Sequence, residues 1–169
     1  LHLVKNAEKL MAQRLQSLKS QNSLSMKEKS HLDVLAMGLK FSDRIIAGVA
    51  EAKSVLRTPE RFFDFPSYQQ ADMLLKSALK LVSASHAPAV FSLSTFESGI
   101  GAEESTHRTH EATRDGKTNP FIHLYESVLI PGENWQDYDV VGISIVGISQ
   151  IIPGLTLARQ LKEKFPHLH

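Results

Sequence analysis

Asp139-Val-Val-Gly-Ile-Ser-Ile-Val146 is the stretch that decides the fold. It is a nearly continuous apolar run of strand length, bounded by Tyr138 and by Gly147-Ile-Ser-Gln150, and rich in Val and Ile. Such a run suits a strand covered on both faces, as parallel strands are. Behind it, Leu155, Leu157, Ala158, Leu161 and Phe165 carry helical spacing that Pro166 stops, and a new apolar start follows at Leu168. Strand, loop, helix and a second start make the opening of a right-handed βαβ unit. A strand needs a neighbour for its backbone groups, so the economical reading is that these residues belong to a longer polypeptide.

Working back from the run, Asn119-Pro120 reads as a cap and first-turn proline, with Phe121, Leu124, Tyr125, Val128 and Leu129 as the helical face and Pro131-Gly132 as its stop. Residues 95–118 are polar, with Gly99, Gly101 and Gly116, and are long for a connection without structure. Ahead of them, Ala89-Val-Phe-Ser-Leu93 after Pro88 has strand composition, and the change of pattern at His86 marks a boundary.

Residues 1–85 read as helix. Leu3, Leu10, Met11, Leu15 and Leu18 form one stripe. Ser25 and Glu28 have capping-box spacing ahead of a second helix from Met26, in which Gly38 and Gly48 are points of bending or breakage. Thr58-Pro59 opens a short helix carrying Phe62 and Phe63, and Ser67 with Gln70 repeats the capping-box spacing before the amphipathic Tyr68–Val82. The expected fold is therefore α/β: a helical region over 1–85, then over 86–169 the first part of a Rossmann-like parallel sheet, incomplete within this chain.

The chain has 169 residues, 42% hydrophobic and 22% charged, with 19 basic and 18 acidic residues, a balance that suits a globular protein. That balance offers no extended surface for a nucleic-acid backbone. No apolar run approaches the ~20 residues of a membrane span, and Leu1-His-Leu-Val-Lys5 lacks the basic start and apolar centre of a signal peptide, so a cytoplasmic location is expected. There is no Cys, hence no disulfide, thiolate nucleophile or iron–sulfur ligand in these residues.

Open α/β sheets bind ligands beyond the carboxyl ends of their strands, which directs attention to Gly142, Ser144, Gly147, Ser149 and Gln150. Small residues let a bulky ligand approach the backbone, while Ser and Gln supply neutral hydrogen bonds. The competing reading is that Gly142 and Ser144 only make room for a neighbouring helix. The order of glycines is not a dinucleotide fingerprint and a P-loop Lys is missing, which disfavours nucleotide phosphate. His107 and His110, with Glu103, Glu104 and Glu111, can offer metal ligands if their segment is helical, against the plainer reading of a solvated loop. His86 and His123 read as capping or packing residues, and Phe62, Phe63 and Phe65 as core ahead of the alternative of a groove for a substrate or partner. Asp139 sits at the wrong end of the run to touch a ligand.

Tyr138–Gln150, then Pro153-Gly-Leu-Thr-Leu-Ala-Arg-Gln-Leu-Lys162 and Phe165-Pro-His-Leu-His169, resembles the cobalamin-binding domain of B12-dependent radical S-adenosylmethionine enzymes. Asn119-Pro-Phe121 and Ala78–Leu93 are similar to the segment that opens that domain. The likeness is specific over 137–169, looser over 74–130 and weak before that. It implies cobalamin as cofactor, with Ser144 against its benzimidazole tail and Gly147, Ser149 and Gln150 in the corrin-facing loop. It also implies an adjoining radical barrel with S-adenosylmethionine and a [4Fe-4S] cluster, and C-methylation or radical rearrangement at an unactivated carbon. Ser94-Thr-Phe-Glu-Ser-Gly99 holds no histidine, so cobalt would have no protein imidazole; the usual Gly-Gly lies beyond His169; and the three cluster cysteines are missing. The 169 residues alone are thus not expected to be active. The alternative is a non-catalytic helical interaction module with an α/β remnant, which predicts an exposed apolar face on the helix 26–56 or 68–84.

Overall fold

The computed structural model describes residues 1–99 and 105–169. The chain forms two compact units, one of residues 1–85 with 91–94 and one of residues 86–90 with 95–169.

The first unit is built on three long helices, α1 (His2–Lys19), α2 (Met26–Val55) and α4 (Phe65–Ser85), with the short α3 (Pro59–Phe62) between the last two. α1 buries Val4, Ala7, Met11 and Leu18, a three-four-seven stripe, against Leu35 and Val49 of α2 and Ala78, Leu81 and Val82 of α4. The capping box at the start of α2 is formed: Glu28 N–H donates to Ser25 Oγ, and the Glu28 carboxylate accepts from the Ser25 N–H at 2.8 Å. α2 does not break at its glycines. A Cβ at Gly38 would lie 3.2 Å from Met11 Sδ and one at Gly48 would lie 2.9 Å from Leu74 Cδ2, so both serve close helix approach rather than a bend. α4 starts earlier than the Ser67 spacing implied, because Asp64 is its cap: the carboxylate accepts from Ser67 N–H at 3.1 Å. Thr58 turns its hydroxyl back to the Ser54 carbonyl at 3.0 Å instead of capping α3.

Phe62, Phe63 and Phe65 are not core. They are exposed, Phe63 by 82% and Phe65 by 70%, with Phe62 edge-on to Phe63 and to Tyr68. The short turn at 63–64 throws them outward, while the adjoining core of Ala52, Val55 and Ala71 closes on small side chains.

The second unit contains α5 (Thr106–Ala112), α6 (Phe121–Leu124) and α7 (Ile151–Lys164). α6 widens into a π-helical turn at Tyr125–Leu129 and then tightens at Ile130–Gly132, so the single helix expected over 120–130 is three short pieces. Ile130, Leu161 and Leu168 form its small apolar cluster, with Trp135, Val141 and Phe165 packed on it. At Gly99, φ is +71° and a Cβ would fall 2.3 Å from the Pro88 carbonyl oxygen, so only glycine fits.

The Rossmann-like parallel sheet expected over 86–169 is absent among the described residues. Their only strands are β1 (Val90–Phe91) and β2 (Phe96–Glu97), a two-stranded antiparallel pair, and the fold is predominantly helical. The expected strand 89–93 shrinks to two residues because the chain turns back on itself within four, and Phe91 N–H donates to Ser83 Oγ at 2.8 Å. Residues 140–146 lie in neither helix nor strand. Their ladder amounts to two bonds at one end: Val141 N–H donates to the His169 carbonyl at 2.8 Å, and His169 N–H to the Asp139 carbonyl at 2.9 Å. That is the pattern of one parallel rung, and one rung is not a sheet.

Candidate functional site

The run 140–146, with Gly142 and Ser144, and the turn that joins it to α7, with Gly147, Ser149 and Gln150, carry the five residues expected to bind a ligand. Gly142, Ser144, Gly147 and Gln150 are exposed and Ser149 is half-buried. The turn is held from within. Gln150 N–H donates to the Gly147 carbonyl at 2.9 Å, and Gln150 Oε1 accepts from Val146 N–H at 2.8 Å, which leaves the Gln150 Nε2 group as a donor. Ile145, Val146 and Ile148 lie among these small and polar groups and are exposed, Val146 by 87% and Ile148 by 72%. A Cβ built at Gly142 or at Gly147 meets nothing within 4 Å. These glycines therefore do not make room for a helix, as Gly38 and Gly48 do.

The loop is a surface, not a pocket. A groove of about 290 Å³ lies on the α7 side of the run, lined by Val141, Ile143, Ala158, Leu161 and His169 among others, and takes in none of the five. Gly154 is what lets the run approach α7: a Cβ there would lie 2.8 Å from Ile145 Cδ1.

What fastens the loop's helix is a buried polar group that the sequence reading did not assemble. Asn119 Nδ2 donates to the Ala112 carbonyl at 2.9 Å and to Thr156 Oγ1 at 2.8 Å, while its Oδ1 accepts from Phe121 N–H at 3.0 Å. Thr156 in turn donates to the Ile152 carbonyl at 2.6 Å. One turn on, Gln160 Nε2 donates to the Ile122 carbonyl and to Glu126 Oε1, both at 3.1 Å, where the helix widens. Arg159 donates to the Thr113 carbonyl at 2.9 Å and to Glu163 at 2.6 Å. Asn119 was legible as a cap. Thr156 and Gln160, four apart on a buried face of α7, were the signal for the rest.

The weaker metal reading finds no support. α5 carries His107, His110 and Glu111, but His110 Nε2 accepts from the Arg114 guanidinium at 2.8 Å, and a fixed cation there opposes a second one. His107 Nδ1 lies 3.5 Å from Glu111. Glu103 and Glu104 lie outside the described residues, and among the described residues no group of three His, Asp or Glu side chains is placed to hold a metal ion. His86 is buried and His123 exposed. Asp137 accepts from Asn134 Nδ2 at 2.6 Å, and Asp139 offers its carbonyl to His169.

Cobalamin and the iron–sulfur cluster fare differently against these residues. Open glycine backbone lets a broad ligand approach, and the neutral hydrogen-bonding groups of Ser144, Ser149 and Gln150 are of the kind that meet the amide-fringed corrin of cobalamin. The cluster does not fit, since the chain offers no thiolate. No protein-family model, curated protein or solved structure matches this chain. No helix among the described residues is long and apolar enough to cross a membrane.

Proposed function

We propose that residues 142–150 bind cobalamin and that the chain is the cobalamin-binding N-terminal part of a radical S-adenosylmethionine enzyme, acting in C-methylation or radical rearrangement. The observation that carries this reading is the pair Gly142 and Gly147, whose missing side chains face open space beside exposed Ile145, Val146 and Ile148. Exposed apolar groups clustered with small residues mark a surface that some ligand covers. Ser144 stands at the tail end of this surface and can donate to or accept from an amide or phosphate oxygen. Gly147, Ser149 and Gln150 form the turn facing the ring, held in shape by the Gln150 to Val146 bond. When bound, cobalamin supplies a methyl carrier or an electron-transfer centre. The chain's own groups bind and orient it, and the S-adenosylmethionine cluster belongs to a radical barrel in other residues.

Equilibrium dialysis against hydroxocobalamin tests this, with Ser144→Trp as the comparison. Ser144 is exposed, so the ring is tolerated by the fold and obstructs only the ligand. Binding by the parent chain that falls at least tenfold in the variant is the expected result; equal affinities place cobalamin elsewhere.

A second reading, the non-catalytic helical interaction module, rests on one observation. Met37, Phe41 and Met73 are exposed on α2 and α4, where Phe41, Arg44, Ile45, Met73 and Leu74 line a groove of about 610 Å³. Such a groove suits an amphipathic helix.

A further inference from the structure

Burial alternates over the first half of the run 140–146: Val141 and Ile143 are half-buried, while Val140, Gly142 and Ser144 are exposed. Together with the rung to His169, this marks residues 140–144 as an extended stretch. In an extended chain the N–H and C=O of every second residue point to the same edge. His169 uses the Asp139 carbonyl and the Val141 N–H, so it occupies the odd-numbered edge. The even-numbered edge carries the N–H and C=O of Val140, Gly142 and Ser144, and among the described residues none of these is hydrogen-bonded; further on, the Val146 N–H is met by Gln150 Oε1. An apolar edge with open backbone groups is a template for another strand. Natural edges are guarded by charge, yet residues 140–158 contain no charged side chain.

The sequence says which strand fits. Val140-Val-Gly-Ile-Ser-Ile-Val146 reads almost alike in both directions about Ile143. Antiparallel pairing across a twofold axis at Ile143 sets Val140 opposite Val146, Val141 opposite Ile145 and Gly142 opposite Ser144. On the even edge this register makes Gly142 with Ser144 the hydrogen-bonded pair on each side of the axis, while the Val146 N–H stays with Gln150 Oε1. Ile143 then faces its own counterpart as a pair without hydrogen bonds. An isologous contact of this kind closes at two copies. We propose that the chain self-associates through this edge, the occupant being residues 140–146 of a second copy. The pairing uses backbone edges and leaves the side-chain faces open, so it does not rest on the cobalamin reading.

The absence of native Cys makes the register directly readable. In an antiparallel pair, facing residues without mutual hydrogen bonds have Cα atoms about 4.5 Å apart, within reach of a disulfide. Sedimentation velocity of the parent chain, without corrinoid, should show a concentration-dependent monomer–dimer equilibrium. Ser144→Pro deletes one N–H on the paired edge and should shift the chain to monomer with its helical circular dichroism unchanged. Under mild oxidation, Ile143→Cys should form covalent dimers, and the exposed off-axis Ile148→Cys should form few. A parent chain that stays monomeric at all attainable concentrations, a dimer indifferent to Ser144→Pro, or equal cross-linking at 143 and 148 would each overturn the proposal.

Discussion

Asn119 and Thr156, 37 residues apart, meet through a hydrogen bond of 2.8 Å between Nδ2 and Oγ1, with both residues buried. The contact ties the turn after α5 to the middle of α7, and through α7 it fixes the loop 142–150. A buried polar pair of this kind stabilises only when every member is satisfied, and Asn119 satisfies three partners at once.

Asn119→Ala should therefore destabilise the second unit by about 1–3 kcal/mol, the usual cost of leaving buried polar groups unmet. Thr156→Ser, which keeps the hydroxyl, should cost less than Thr156→Val, which removes it. Urea melts of the three variants give the order.

Gly99→Ala forces a side chain into the left-handed region and onto the Pro88 carbonyl. The conformational part alone costs about 1–2 kcal/mol. A fall in the urea midpoint larger than that for Gly116→Ala, where a Cβ meets nothing within 4 Å, is the expected result.

His31 ties stability to acid. Among the described residues its buried Nε2 has no partner, and burial, with the Arg14 charge adding to it, holds its pKa below the usual 6.5. The unfolded chain takes up the proton first, so stability is full above pH 6.5 and is lost as pH falls towards the folded value. His31→Leu should flatten that limb in denaturant titrations between pH 7 and pH 5, windows set about the reference value.

Tyr125 acts at the other extreme. Burial pushes its phenol up to about 12 from 10.0. Above pH 10 the unfolded chain ionises this group first, so stability falls as pH rises from 10 towards 12. Tyr125→Phe should remove that part of the alkaline loss, read by circular dichroism.

The helices of the first unit were legible because helical signals are local. The capping box at Ser25, the stripe from Leu3 to Leu18 and the apolar face of α4 all lie within a few turns of the residues they govern. Gly38 and Gly48 misled because a glycine's local cost says nothing of the partner it admits. Phe62, Phe63 and Phe65 misled because composition predicts burial only on average. The parallel sheet failed for a different reason. The run 139–146 has strand composition, but a strand is made by its neighbours, and among the described residues only His169 supplies backbone partners. Of the candidate site, the five loop residues were read from their types and spacing. The Asn119, Thr156 and Gln160 fastening joins segments 34–38 residues apart and was invisible to periodicity.

Corrin retention tests directly whether residues 142–150 hold cobalamin as proposed. The chain is incubated with hydroxocobalamin and passed through gel filtration, and corrin absorbance is read in the protein fraction. About one corrin per chain, with the spectrum of cobalamin lacking a coordinated base and with retention lost in Ser144→Trp, is the predicted result. A well-folded chain, its helical circular dichroism intact, that emerges without corrin would show that these residues do not bind cobalamin.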